Sequence, residues 1–546
     1  MKSEKSKLMA VTVLFAVAAL PFRIAAEAGE EKVHYKLITL GTLGGSVANP
    51  FGGINDRTWL TGDSSLAGDL TEHGFLWRDG AMIDLGTLGG QNSSVGNPTT
   101  NVKGLIVGNA QTGEPDPTGD CTVNPSTGEP TGECWGTGFS CPASTPCQGY
   151  QNLVHGFVWK DGAMSTLPTL GGNNSGAFGA NNRGQIVGVA ETNTFDPNCV
   201  APQQFHVEAV VWGPKPGEIR ALPPLPGDVM GGAQAINDRG QVVGGSGPQC
   251  GWLPFPTIYI AHAVLWQDGK PIDLGSLGGV ENNLASAINN RGQVVGTSDL
   301  PGDVNTPPFS APAHAFLWQD GVMTDLGTLP APLDFSSGAG NINESGQVVG
   351  TSCDASFNCH GFLWEDGVMT DLNALLPAGT ALQVIAGGGI NDRGEIAVQV
   401  FDPATGTTPL ALMIPDRDPV AAQLGFNAVS TDALPDHVRT VLQQRMKLGP
   451  FGRAPSVIPA HSTRPNADAL VSTLAGAKPS TSNAAPQSCQ SLGAACGRTG
   501  PYCCKGSLCG PHGTCCDKPF HGMACTSSAQ CCSGVCVAVP GGHLCN

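Results

Sequence analysis

The chain has 546 residues, of which 13% are charged and 6% aromatic, with 76 glycines and 43 prolines. That profile suits many short strands joined by tight turns and excludes a helical bundle, which needs far more Glu, Lys, Ala and Leu. The formal net charge is −17, and no Lys/Arg cluster interrupts the acidic sequence, which argues against nucleic acid as a partner.

In chain order, the N-terminus comes first. Lys2, Lys5 and Lys7 precede an apolar run from Leu8 to Phe22, followed by the small-x-small triplet Ala26-Glu27-Ala28. Residues 1–28 therefore read as a cleaved export signal. The run falls short of the ~20 apolar residues that span a bilayer, so no stable membrane insertion is expected after cleavage. Export to the cell surface, periplasm or medium also accounts for 20 cysteines, which are expected to be oxidised.

Three elements then recur in fixed order. The first is Ile-Asn-Asp-Arg-Gly at 236–240 and 390–394, with variants at 54–58, 288–292 and 342–346 and weaker copies at 101–104 and 181–184. Most run into an apolar strand such as Gln-Val-Val-Gly at 241–244, 293–296 and 347–350. The second is His-Ala-Phe-Leu-Trp at 314–318, matched at 73–77, 155–159, 262–266 and 360–364, with degenerate copies at 207–212 and 410–414. The third is Asp-Gly-x-Met-x-Asp-Leu, as at 79–85.

Each repeat spells four short strands. Asn-Asp-Arg-Gly and Asp-Gly tolerate positive φ and close the first and third hairpins. Four-stranded units of ~50 residues are the blades of a β-propeller. Seven first strands and seven third strands occur, but only six fourth strands follow a third. The seventh is Tyr35–Leu40, whose downstream Gly-Thr-Leu-Gly-Gly matches that of other fourth strands. The expected fold is an all-β, seven-bladed propeller over 34–415, with Tyr35–Leu40 pairing antiparallel with Leu410–Ile414. The motifs resemble the HAF-repeat family of predicted extracellular bacterial proteins over roughly the same residues. The resemblance implies secretion and a propeller-like body, and no established reaction.

Residues 416–487 read as a Pro/Ala/Ser-rich linker with one short docking helix between Asp436 and Lys447. Two sets of six cysteines follow: Cys489, Cys496, Cys503, Cys504, Cys509 and Cys515 in 488–515, and Cys516, Cys525, Cys531, Cys532, Cys536 and Cys545 in 516–546. Segments this small need crosslinks in place of a core. Spacing alone leaves 15 pairings per set. Both sets resemble the cystine-knot pattern of knottins, although the eight-residue gaps in the second are long for it. That resemblance implies first-to-fourth, second-to-fifth and third-to-sixth bridges.

His73, His155, His262, His314 and His360 recur in nearly every blade. Copies on third strands should stand on the order of 15 Å apart, too far to share a metal, so a structural role is expected and no cofactor or metal. Trp77, Trp159, Trp212, Trp266, Trp318 and Trp364 are expected to pack between blades. Function is expected where the blades differ, in the connections between second and third strands at about 110–152, 191–206, 246–260, 298–312 and 352–359. These carry Cys121, Cys134, Cys141, Cys147, Cys199, Cys250, Cys353 and Cys359, with bridges expected for Cys199–Cys250 and Cys353–Cys359. They also carry Trp135, Trp252, Phe255 and Tyr259, aromatics that suit stacking on sugar rings or anchoring a protein. Asp63, Asp69, Asp228, Glu281 and Asp303 lie toward the same face, but no spacing pairs them, and no hydrolase, protease, phosphate-loop or EF-hand motif occurs. The expected function is binding of a polysaccharide or an extracellular protein. The alternatives are a polysaccharide-active propeller enzyme and an inhibitor or toxin-like activity of the cysteine-rich tail.

Overall fold

A computed structural model describes residues 33–416 except 51, 97–100, 102, 118–120, 124–129, 135–151, 200–202, 249, 251–260, 281 and 303–311. Beyond these it describes 433–436, 438, 439, 442 and four short strands near the C-terminus. Seven four-stranded antiparallel sheets succeed one another along the main stretch. Blade 1 consists of Gly44–Asn49, Leu60–Leu66, Glu72–Arg78 and Ala81–Asp84. The first strands of blades 2 to 6 are Gly89–Val95, Gly171–Ala180, Met230–Ile236, Asn283–Ile288 and Ser336–Ile342. Blade 7 joins Gln383–Ile390, Ile396–Phe401 and Leu410–Asp416 to a fourth strand taken from the start of the chain, His34–Gly41. The chain is a seven-bladed β-propeller.

Its closure follows the expected antiparallel pairing, with Tyr35 opposite Pro415, Leu37 opposite Met413 and Thr39 opposite Ala411. The third hairpin of blade 1 turns at Asp79 and Gly80, with φ of +52° and +82°. A two-residue turn that matches strand twist needs both values positive, which is why Asp-Gly recurs there. The glycine of Gln-Val-Val-Gly has a different cause. A Cβ on Gly296 would lie 1.9 Å from the carbonyl oxygen of Leu284 on the neighbouring first strand. Close backbone approach, and not φ, excludes a side chain there.

The third-strand phenylalanines Phe75, Phe157, Phe316 and Phe362 are fully buried. Phe316 packs against Val243, Leu265 and Leu274 of blade 4, so the core lies in the seams between blades. Removing such a ring costs about 3–5 kcal/mol. The tryptophans occupy the same seams. Trp159, Trp212 and Trp266 are buried, while Trp77, Trp318 and Trp364 are half-buried against their neighbours. The indoles of Trp212 and Trp266 donate to the carbonyls of Pro168 and Pro223, at 2.8 and 2.7 Å.

Asp436, Val438, Arg439 and Leu442 are helical, within the span expected for a docking helix. Leu434, Val438 and Leu442 are buried against Cys353, Cys359, Ile385 and Phe401 of blades 6 and 7. A second unit spans 463–546. Its described strands form two hairpins, with Cys509 opposite Cys515 and Cys536 opposite Cys545. The sulfur pairing expected of the cysteine-rich modules, the export signal and most of the linker lie outside the described residues. No described helix is long and apolar enough to cross a membrane.

Candidate functional site

Strand direction gives the propeller two unlike ends. First strands run toward the Asn-Asp-Arg-Gly turns, second strands run back, and third strands return to the Asp-Gly turns. One end therefore holds both kinds of tight hairpin. The other holds the long second-to-third connections and the links from each fourth strand to the next blade.

At the turn end the Ile-Asn elements converge on the axis. Ile54, Ile288, Ile342 and Ile390, with Asn55, Asn237, Asn289, Asn343 and Asn391, line a cavity of about 200 Å³. Each asparagine reaches its neighbour: the side-chain amide of Asn181 donates to the Asn237 carbonyl, Asn237 to Asn289, Asn289 to Asn343 and Asn343 to Asn391, at 3.0–3.1 Å. The next residue repeats the pattern one layer outward. Asp238 accepts from the Asn182 backbone at 2.7 Å, Glu344 from Asn290 at 2.9 Å, Asp392 from Glu344 at 2.8 Å and Asp56 from Asp392 at 3.0 Å. These carboxylates look like a ligand collar but bind the blades to one another.

The repeated histidines are struts of the same kind. His73, His314 and His360 bond through Nδ1 to Asp84, Asp325 and Asp371 on the adjacent fourth strand, at 2.8, 2.9 and 2.7 Å. Burial acts to raise the Asp84 pKa, but hydrogen bonds from His73 and the Gly86 backbone outweigh it and hold the carboxyl below its ordinary value. Blade 2 has Thr166 in place of the aspartate. There burial pushes His155 below the usual histidine value, against a bond from its ring to the Asn173 carbonyl. His262 departs differently and pairs with Asp228 at 2.9 Å.

The loop end carries the variation. Cys199 and Cys250 bridge the connections of blades 3 and 4, and Cys353 and Cys359 close a six-residue span in blade 6. In blade 2 the strands Cys121–Val123 and Pro130–Cys134 form an extra hairpin with Cys121 opposite Cys134. Asp196, His206 and Cys250 place ligand-type atoms within 4.8 Å of one another. The Cys250 sulfur is bonded to Cys199, so it offers no thiolate, and a metal site is not assembled. Leu70, Phe195, Val229 and Val280 are exposed on this end, Phe195 by 61%.

Of the residues singled out in the sequence, Trp135, Trp252, Phe255 and Tyr259 lie outside the described residues, as do Cys141, Cys147, Glu281 and Asp303. The remaining acids are structural. Asp63 accepts from the Val95 backbone at 2.7 Å, joining blades 1 and 2. Asp69 accepts from Ser65 Oγ at 2.6 Å. Asp228 takes both the Ser246 hydroxyl and His262.

No protein-family model and no curated protein sequence matches the chain. Several solved structures are similar in part. The acylaminoacyl peptidase of Pyrococcus horikoshii is 12% identical, with a TM-score of 0.39, over 69% of this chain and 52% of its own. The β-propeller domain of the trilobed protease from Pyrococcus furiosus is 9% identical, with a TM-score of 0.37, over 68% of this chain and all of that domain. An ulvan lyase, a polysaccharide lyase, is 9% identical, with a TM-score of 0.31, over 73% and 98%. The second is itself a propeller. The chain spans about half the length of the peptidase. No activity transfers at this similarity.

Proposed function

We propose that the chain is a secreted binding protein of the HAF-repeat type that recognises a polysaccharide or another extracellular surface molecule through the loop end of its propeller. The observation that carries this reading is the contrast between the two ends. At the turn end the polar groups of successive blades are used to hold one another. At the loop end a disulfide ties the connections of blades 3 and 4 together, and Phe195 stands exposed beside them. A stiffened loop loses less conformational entropy when it binds, so the bridge serves recognition as well as stability. Trp252, Phe255 and Tyr259 follow Cys250 directly in the sequence. The tail helix occupies the loop end at blades 6 and 7, which leaves blades 1 to 5 for a ligand.

The test is an array of polysaccharides probed with the purified chain, followed by Phe195→Ala and Trp252→Ala. A buried aromatic anchor loses ~2 kcal/mol or more on truncation, roughly 30-fold in affinity. Array hits whose affinity is unchanged in both variants would place recognition elsewhere. Release of shortened or unsaturated sugars from a hit would identify an enzyme instead.

A further inference from the structure

The repeat is broken in one described turn, that between the first and second strands of blade 1. Blades 3 to 7 place Gly184, Gly240, Gly292, Gly346 and Gly394 at its last position, with φ between +77° and +92°. Blade 1 places Thr58 there at φ +59°, a conformation that a β-branched residue adopts only under strain. The following position is Gln185, Gln241, Gln293, Gln347 and Glu395 in those blades, and Trp59 in blade 1.

Register then decides what Trp59 meets. Leu60 pairs with Trp77, so Trp59 stands across from Arg78. In blades 4 to 6 the equivalent residues hydrogen-bond: Gln241 to Gln267 at 3.2 Å, Gln293 to Gln319 at 3.0 Å and Gln347 to Glu365 at 3.0 Å. Blade 1 substitutes an indole and a guanidinium. The Arg78 and Arg57 guanidiniums lie 5.2 and 5.5 Å from the centre of the Trp59 ring. Gly104 of blade 2 abuts that ring, where a Cβ would come within 2.9 Å, and the exposed Lys103 is its chain neighbour. Among the described residues, Arg57, Arg78 and Lys103 form no ion pair. Two unpaired guanidiniums at one aromatic ring, with the exposed Lys103 next to the glycine that abuts it, are conspicuous on a chain of net charge −17.

We propose that Arg57, Trp59, Arg78 and Lys103 form a second binding site, at the turn end, for an acidic saccharide bearing carboxylate or sulfate groups. Stacking on the indole holds each guanidinium in place without consuming its N–H donors, so its fork stays available for bidentate contact with an oxyanion. A saccharide fits better than a nucleic acid. Nucleic acid binding draws on many phosphates along a basic stripe, whereas this patch is small and the chain as a whole is acidic. The site is independent of the loop end.

The experiment titrates the full chain with oligogalacturonate, with a sulfated dextran oligomer and with neutral dextran of equal length, at low and high salt, following tryptophan fluorescence. Binding of at least one anionic oligomer is expected, weakening at high salt, with no response to neutral dextran. Comparison of the two anionic probes separates carboxylate from sulfate recognition. Arg57→Gln with Arg78→Gln should weaken binding at least roughly tenfold. Trp59→Gln restores the residue of blades 3 to 6; it should weaken binding of the anionic oligomer, read by calorimetry because the variant lacks the reporting indole, while the far-ultraviolet circular dichroism of the propeller is kept. Absence of binding to both anionic oligomers at low salt would overturn the proposal, as would unchanged affinity in the double arginine variant. Equally tight binding of a single-stranded oligonucleotide would reduce the site to general polyanion attraction and overturn the saccharide assignment. Phe195→Ala at the loop end should leave this binding intact.

Discussion

Asn391 donates its side-chain amide to the backbone carbonyl of Asn55, 3.1 Å away and 336 residues earlier in the chain. The bond continues the series from Asn181 through Asn343 and joins blade 7 to blade 1 beside the axis. The seam between blades 7 and 1 is thus closed twice, by an asparagine on the inside and by His34–Gly41 on the outside.

A test of the asparagine series is Asn289→Ala. Asn289 is 4% exposed. Its amide serves the Asn343 carbonyl at 3.0 Å and Gln293 Oε1 at 2.7 Å, while its oxygen accepts two backbone N–H groups at 3.0 Å. Removal leaves several buried polar groups without partners, each costing about 1–3 kcal/mol. The denaturation midpoint should fall by at least one such increment. An unchanged midpoint would mean that the series is decorative.

Strand order, hairpin chemistry and the exchanged outer strand were legible in the sequence because they are local or repeated. His73 and Asp84 stand 11 residues apart in one motif, so their role as a strut could be suspected from recurrence. The inter-blade work of the asparagines was not legible, because each meets a carbonyl about fifty residues away, or 336 for Asn391, and nothing in the turn itself names that partner. The same holds for Arg57 and Arg78. The sequence shows no basic cluster, yet the pairing of Leu60 with Trp77 brings both arginines to Trp59. Asp63, Asp69 and Asp228 read as loose acids until the fold supplies Val95, Ser65 and Ser246.

Blade 2 offers a test of the histidine struts. Thr166 stands opposite Phe157 as Asp84 stands opposite Phe75, so Thr166→Asp should place a carboxylate against His155 Nδ1. A nearby opposite charge favours the protonated ring and typically raises its pKa by about 1 unit or more. The His155 value, now held low by burial, should rise toward or past the ordinary one in an NMR titration. The added stabilisation should be present at acidic pH and fade as pH climbs through the new value. A His155 pKa that does not rise would show that the strut geometry does not carry over.

The Cys199–Cys250 bridge closes a separation of 51 residues between neighbouring blades. Chain-entropy reasoning assigns a loop of that length roughly 4 kcal/mol. Replacing both cysteines with alanine should lower stability by a comparable amount, read from denaturant midpoints with the slope unchanged. The propeller itself should persist in far-ultraviolet circular dichroism, because each blade keeps its own hydrogen bonds. A loss of less than about 1 kcal/mol would mean that native contacts already hold the two connections together.

The outer closure carries its own pH signature. Tyr35 sits in the exchanged strand, 3% exposed, among Leu363, Leu372, Val398 and Met413. Burial, with a smaller contribution from the Glu365 carboxylate, pushes its hydroxyl from 10.0 up to about 12. Above pH 10 the unfolded chain gives up this proton while the folded chain keeps it. Unfolding then releases a proton, and stability must fall as pH rises between 10 and 12. The loss should reach about 2–3 kcal/mol at the top of that window and be absent below about pH 9. Tyr35→Phe keeps the packed ring and removes the titrating group. It should match the parent at pH 7 and retain more stability at pH 11, in denaturant curves recorded at both values. If the two proteins lose stability in parallel at high pH, another group governs the alkaline limb and the strand that locks the ring is not its weak point.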